Sequence, residues 1–87
     1  MAKQEKKIRS AVDAEAAVRR SLASQHGDLI KRLDFYKCWY SSSGSKEFWD
    51  VEGFLELKKG KPKKRSFSYQ VDPESGEIFG YRETPIQ

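Results

Sequence analysis

Ten consecutive residues, Phe48 to Leu57, alternate between an apolar and a largely acidic set of side chains, and this pattern most constrains the fold. One set is Trp49, Val51, Gly53, Leu55 and Leu57; the other is Phe48, Asp50, Glu52, Phe54 and Glu56. Successive side chains of a strand point to opposite faces, so the alternation predicts a half-buried strand with its apolar face against another layer. Gly53 on that face indicates a β-bulge or a close approach of the helix backbone.

The segment from Ser10 to about Gln25 can supply that second layer. It is rich in Ala, contains neither Gly nor Pro, and repeats apolar residues at helical spacing at Ala14, Ala17, Val18 and Leu22. We therefore predict a helix that begins at Ser10 or Asp13 and ends at Gly27. Its apolar stripe is narrow and built of small residues, so the helix needs a sheet to lie on.

Further strands are predicted along the rest of the chain, at Phe35–Tyr40, Ser66–Val71 and Ile78–Glu83, with turns at Ser41–Ser45, Lys59–Pro62 and Asp72–Gly76. The run Leu29–Leu33 fits either a helical extension or the start of a strand. The fold class is therefore α+β, with one N-terminal helix packed on a three- to four-stranded antiparallel β-meander. Residues 10–87 form a single domain, which follows a flexible basic arm at residues 1–9.

The last predicted hairpin carries a family resemblance. Its turn runs from Val71 through Asp72 and Pro73 to Gly76, Glu77 and Ile78. This hairpin resembles the closing hairpin of PepSY-type domains, which also place an Ala-containing helix before an antiparallel sheet. The resemblance implies the same fold and an inhibitory or regulatory role toward peptidases, but it assigns no functional residue. PepSY-type domains are usually exported or membrane-associated, and this chain shows no export signal.

The only cysteine, Cys38, has no partner for an internal disulfide and no second thiolate for a zinc site. No stretch approaches the roughly 20 apolar residues of a membrane span. We therefore expect a cytoplasmic protein that does not associate with a membrane.

Catalytic chemistry is not indicated. Cys38 lies in a strand among aromatics, as a buried structural thiol does, and the only histidine, His26, lies at the helix C-terminus, where it suits the helix dipole. The two could meet in space, but neither has a local catalytic signature. The acids Asp50, Glu52 and Glu56 could share a proton or bind a divalent cation, although alternating acids commonly solubilise a strand and neutralise lysines on its neighbour. We expect no enzymatic activity, no catalytic residue, no metal and no cofactor.

Protein binding is the favoured function. Phe48 and Phe54 lie on the polar strand face and provide a candidate protein-binding surface, and an exposed strand edge is another. The alternative is that these two rings are covered by the N-terminal arm or by self-association. A protein partner is expected, with the chain itself a monomer or a weak homodimer.

Nucleic-acid binding is the second hypothesis. The chain has a formal charge of +4, while Lys58, Lys59, Lys61, Lys63, Lys64 and Arg65 contribute +6, so the remainder carries −2. Lysines on a hairpin could bind phosphates, and Phe67, Tyr69 and Trp39 could stack on bases if they faced outward. The alternation of Phe67 and Tyr69 instead turns them toward the helix, which favours protein binding. The alternative to nucleic-acid binding is a solvated hairpin whose lysines protect a strand edge from unwanted pairing with another chain.

Overall fold

A computed structural model of the protein describes residues 8–60 and 63–86. Its elements are α1 (Ala11–His26), a short 3₁₀ turn (Gly27–Leu29), β1 (Ile30–Ser43), β2 (Lys46–Leu57), β3 (Lys64–Val71) and β4 (Ile78–Pro85). The strands form one antiparallel sheet in the order β1-β2-β3-β4, and α1 packs on one face of it. The predicted α+β fold is confirmed, and the meander has four strands.

Both ends of α1 are capped by residues that the sequence indicated. Ser10 is the N-cap, and its Oγ accepts a hydrogen bond from the Asp13 backbone N–H at 3.4 Å. Asp13 lies inside the helix, and its Oδ2 accepts a hydrogen bond from the Arg9 N–H at 3.0 Å. Gly27 ends the helix with a φ of 56°, where a residue without Cβ is favoured, and its N–H donates to the carbonyl of Ala23.

The core lies between α1 and the sheet face that contacts it, which we call the inner face. α1 and the two central strands contribute most of the buried side chains: Ala14, Ala17, Val18, Leu22, Val51, Leu55, Leu57, Phe67, Tyr69 and Val71. Each is at most 6% exposed, so the predicted helix stripe and strand face are confirmed. Burying a side chain such as Leu22 stabilises the fold by about 1.5–3 kcal/mol.

Gly53 lies where a side chain would not fit. A Cβ at this position would collide with the carbonyl oxygen of Asp34 on β1 and with the ring of Phe67. The close approach is therefore made by a neighbouring strand and a core ring rather than by the helix backbone. The ladder between β1 and β2 also shifts register between Phe35 and Lys37, so the bulge lies in β1, opposite Gly53.

Two connections refine the sequence predictions. Leu29 closes the 3₁₀ turn and Ile30 begins β1, so most of the ambiguous run is strand. β1 continues to Ser43, and the predicted turn Ser41–Ser45 was therefore too long: it is reduced to Gly44 and Ser45, because Ser41 and its successors pair with β2.

The hairpin between β3 and β4 forms as predicted. Asp72 Oδ1 accepts hydrogen bonds from the N–H groups of Glu74, at 2.8 Å, and Ser75, at 3.2 Å. Gly76 has a φ of 76°, and its N–H donates to the Asp72 carbonyl at 2.9 Å. The turn is therefore held by the aspartate side chain and completed by the glycine.

Residues 1–7 of the predicted arm lie outside the described residues. Ile8 is only 4% exposed and belongs to the core, and its N–H donates to the carbonyl of Pro73 at 3.0 Å. Within the described ranges, the helices are too short and too polar to cross a bilayer.

Candidate functional site

The sheet face opposite α1, which we call the outer face, is open. No helix or strand packs against it within residues 8–60 and 63–86. Four large rings on it are roughly half exposed: Tyr36 55%, Trp39 64%, Phe54 47% and Phe79 42%. The two residues predicted for protein binding lie here, Phe54 half exposed and Phe48 partly buried.

A β-bulge in β1 brings Tyr36 to the outer face. Phe35 pairs with Gly53 and Lys37 pairs with Glu52, which leaves Tyr36 as the extra residue of β1. The Tyr36 ring lies 4.9 Å from the ring of Phe54, centroid to centroid, and its hydroxyl donates to Glu52 Oε1 at 3.0 Å. This hydrogen bond raises the pKa of Tyr36. We call these two rings the Tyr36–Phe54 pair.

A second bulge brings Phe79 to the same face from the other side of the sheet. Gln70 pairs with Gly80 and Val71 with Ile78, so Phe79 is the extra residue of β4. Its ring lies edge-on to Phe48 with the centroids 5.8 Å apart, which forms the Phe48–Phe79 pair. Each predicted phenylalanine on β2 thus packs against a ring from an edge strand.

Between the two pairs, Lys37 lies at the centre of a charged cluster. Its Nζ is 3.2 Å from Asp50 Oδ2, 3.3 Å from Glu52 Oε2 and 4.6 Å from the centroid of the Trp39 ring. The hydrogen bond to Asp50, followed by that to Glu52, raises the pKa of Lys37 and keeps it charged. The prediction that outward acids neutralise lysines on a neighbouring strand is confirmed, and Glu56 makes the same kind of pair with Lys31 at 3.8 Å.

A shallow groove of about 290 Å³ lies beside these acids, lined by Asp50, Glu52, Ser68, Gln70, Gly80, Tyr81 and Arg82. The Arg82 side chain is exposed and makes no ion pair with any described residue. Because Lys37 already engages Asp50 and Glu52, the groove presents one free cation between the two ring pairs.

Cys38 and His26 do not meet. The Cys38 Sγ donates to the carbonyl of Ala11 at the first turn of α1, at 3.5 Å, and burial raises its pKa to about 11. His26 is the last residue of α1, about 22 Å away along the helix axis, and its Nε2 lies 3.3 Å from Glu83 Oε2. The described side chains contain no cluster of three or more His, Cys, Asp or Glu suited to a metal ion.

The residues predicted to bind nucleic acid separate into two groups. Lys58, Lys59, Lys63 and Lys64 are exposed and make no ion pair with a described residue, whereas Lys61 lies outside the described residues. Arg65 turns toward the helix side of the sheet, where its Nη1 donates to Glu83 at 3.3 Å.

The rings suggested for base stacking do not flank these lysines on the surface. Phe67 is 2% exposed and Tyr69 0%, so both face the core, as their alternation predicted. Trp39 is exposed, but it lies on the edge strand β1, where it pairs with Asp50, away from the turn between β2 and β3.

The edges of the sheet are less suited to a partner than its outer face. β1 and β4 are the two edge strands. β1 carries two bulges, β4 carries one, and β4 ends in Pro85. Bulges, prolines and charges on edge strands discourage the addition of a further strand. The outer face is therefore the better of the two protein-binding surfaces that the sequence suggested.

Comparison with protein-family models, with curated proteins and with solved structures gives no match.

Proposed function

We propose that this protein is a non-enzymatic binding module that holds a protein partner against its outer face. The observation that carries the proposal is the set of half-exposed rings on an open sheet: Tyr36, Trp39, Phe54 and Phe79. Large rings grouped on an exposed surface are typical of interaction sites, and aromatic residues are enriched where interfaces are tightest.

The charge balance of the outer face favours a protein over a polyanion. Strand register and the ion pair of Lys31 with Glu56 place six cations and four acids on it: Lys31, Arg32, Lys37, Lys46, Lys64, Arg82, Asp34, Asp50, Glu52 and Glu56. Ion pairs engage all four acids, and only Lys46, Lys64 and Arg82 have no ion pair with a described residue. These three cations are spread over the face, so it would attract a phosphate backbone weakly, because such binding depends on several uncompensated cations. Protein interfaces instead combine apolar centres with paired charges.

The spacing of the two ring pairs suggests what the partner presents. Phe48 and Phe54 are six residues apart on β2, which corresponds to about 20 Å along a strand. Between them the free Arg82 guanidinium suits a carboxylate. The partner would therefore bring apolar side chains about 20 Å apart and an acidic side chain between them.

A regulatory role is part of the proposal. The hairpin that resembles PepSY-type domains suggests control of another protein rather than chemistry of its own. The single, protonated Cys38 thiol suits a reducing, cytoplasmic setting. Such a module would act as a monomer or a weak homodimer that releases its outer face to the partner.

The first experiment places a photo-reactive phenylalanine analogue at Phe54 and, in a control protein, at Ser24, an exposed position on α1. Irradiation in an extract of the native cell should crosslink a distinct partner from position 54 and not from position 24. That partner is then purified, and its affinity for the unmodified protein is measured by calorimetry.

Matched substitutions test whether the rings themselves bind. Phe54→Ala should weaken binding of the purified partner at least tenfold, since a buried aromatic anchor typically contributes about 2 kcal/mol or more. Val12→Ala removes an apolar side chain that is 74% exposed on α1 and should leave the affinity unchanged. Equal effects of the two substitutions, or a crosslink from position 54 only to a second copy of this chain, would refute the proposal.

A further inference from the structure

The turn between β2 and β3 carries uncompensated positive charge. We call its four described lysines, Lys58, Lys59, Lys63 and Lys64, the basic tip. All four are exposed, and none forms an ion pair within the described part of the chain.

The cations around the tip are neutralised, which concentrates the free charge at the turn. Arg32 pairs with Asp34 at 2.8 Å, Lys31 with Glu56 at 3.8 Å and Arg65 with Glu83 at 3.3 Å. Glu56 is the cross-strand partner of Lys64, and it is engaged by Lys31.

The basic tip does not protect a strand edge. Lysines often occupy edge strands to prevent unwanted pairing. Here they lie at the turn that joins β2 to β3, and these are the two central strands of the sheet. The edge strands are β1 and β4, so edge protection does not explain why the basic tip holds four lysines without an ion pair to a described residue.

The backbone on both sides of the turn is fixed. The Lys58 N–H donates to the carbonyl of Leu29 at 2.7 Å, and the Lys64 carbonyl accepts from the N–H of Ile86 at 3.0 Å. The Leu57 N–H donates to the Lys63 carbonyl at 2.8 Å. The lysines are therefore presented from a frame held by the start of β1 and the end of β4.

The opposite end of the elongated molecule, which spans 49 Å along its longest axis, is acidic. Four acids lie on or beside the turns there, Glu47, Asp72, Glu74 and Glu77, together with two cations, Lys46 and Arg9. The described residues of the far end therefore have a small excess of negative charge, so the basic tip is the more favourable end for an approaching polyanion.

From these observations we infer that the basic tip binds the phosphate backbone of nucleic acid, without sequence readout. Base stacking is not available beside it, because Phe67 and Tyr69 are buried in the core. A membrane surface is a poorer match, since stable attachment requires apolar anchors as well as charge, and Lys58–Gly60 and Lys63–Lys64 offer none. This surface meets the outer face only at Lys64, which lines a cleft together with Phe54, and its other three lysines are separate from the ring pairs.

The test is a fluorescence anisotropy titration of a labelled 20-base-pair duplex of mixed sequence, between 50 and 150 mM NaCl. Four phosphate contacts give a slope of about −3.6 in log K against log salt, which is about 50-fold weaker binding across that range. A single strand of equal length should bind no more tightly than the duplex. Tighter binding of the single strand would show that exposed rings stack on bases and would overturn the backbone-only inference.

Two double variants with the same net charge locate the site. Lys58→Gln/Lys59→Gln should weaken duplex binding at least tenfold and reduce the steepness of the salt slope by about 1.8. Arg20→Gln/Lys46→Gln, at exposed positions away from the tip, should leave both quantities within twofold of the unmodified protein. Circular dichroism confirms that both variants are folded.

Two other polyanions test the choice of nucleic acid. Polyglutamate and vesicles with phosphatidylserine should compete poorly for the protein at equal charge concentration. Equal loss of duplex affinity in the two double variants, or preference for either competitor over the duplex, would overturn the inference. Crosslinking of the outer face to its protein partner should persist in Lys58→Gln/Lys59→Gln, so failure at one surface is distinguishable from failure at the other.

Discussion

Gly53→Ala should destabilise the protein severely for a change of one methyl group. The added Cβ would collide with the Asp34 carbonyl oxygen, which belongs to the backbone of a bulged strand, and with the ring of Phe67. That ring is 2% exposed and is packed edge-on by Phe35 at 5.7 Å and by Tyr69 at 5.8 Å, so it has little room to move. Overpacking of this kind costs about 1–3 kcal/mol.

Gly53→Ala should lower the free energy of unfolding by about 2 kcal/mol. Both obstacles are immobile, which places the steric cost near the top of that range. Replacing Gly also reduces the conformational entropy of the unfolded chain, and this stabilisation offsets about 0.4–1 kcal/mol of the steric cost. For a domain of this size, the net loss corresponds to a fall in Tm of about 8–16 °C.

Gly80→Ala is the matched control, because Gly80 is also a strand glycine with an ordinary backbone conformation. Its added Cβ would meet the far end of the Gln70 side chain, which lies in the open groove and can rotate away, and would lie 3.2 Å from the Gln70 Cβ, which must shift by a few tenths of an ångström. The stabilisation from restricting the unfolded chain then roughly cancels the steric cost of the contact. We expect the free energy of unfolding to change by less than about 0.5 kcal/mol.

Urea unfolding followed by tryptophan fluorescence and by far-ultraviolet circular dichroism measures both changes. The slope of free energy against urea should stay constant, so that a lower midpoint reports lost stability. If Gly53→Ala and Gly80→Ala unfolded at the same urea concentration, the close approach at Gly53 would not be what selects glycine there.

Three further outcomes test the core, the helix cap and the thiol. Leu22→Ala should cost about 2–5 kcal/mol in thermal unfolding, because Leu22 is fully buried, whereas Val12→Ala should change stability by less than about 0.5 kcal/mol. Ser10→Ala removes the oxygen that accepts the Asp13 N–H and should cost about 1 kcal/mol in the same assay. With its pKa raised to about 11, Cys38 should react with iodoacetamide at pH 8 about 100-fold more slowly than in the urea-unfolded protein; a rate equal to that of the unfolded chain would show that burial does not hold the thiol protonated.

The sequence predicted the layers of the fold because their signals are periodic. Val51, Leu55 and Leu57 repeat every second residue or a multiple of two, while Ala14 and Val18 repeat with the helix, and all five are buried together. Local turn chemistry was equally readable at the Asp72 hairpin, where one side chain and one glycine define the turn. These signals depend only on neighbours in the chain.

The outer-face rings were only partly predictable. Phe48 and Phe54 follow from strict alternation, but Tyr36 and Phe79 reach the outer face because each is the extra residue of a bulge. A bulge is set by pairing with another strand, which a period of two residues does not reveal. Two glycines are local signals of such irregularities: Gly53, which lies opposite the bulge in β1, and Gly80, which lies beside Phe79.

Two of the three bulges in the described sheet, those at Tyr36 and Phe79, connect the integrity of the sheet with its proposed function. Each interrupts an edge strand and so discourages pairing with another chain, and each also adds one aromatic ring to the open face. The fold thus closes its edges to partners while it enlarges the face available to them. Straightening the bulge at Tyr36 or at Phe79 would therefore remove one ring pair and would also make that stretch of the edge strand regular.

Salt dependence separates the two proposed surfaces, because different forces would hold their partners. Contact with the ring pairs buries apolar area and one Arg82 charge, so affinity there should fall only about threefold between 50 and 150 mM salt. Contact with the basic tip depends on four cations and should fall about 50-fold over the same range. A partner whose affinity falls steeply with salt therefore uses the tip, even if its apparent affinity at low salt equals that of a partner held by the rings.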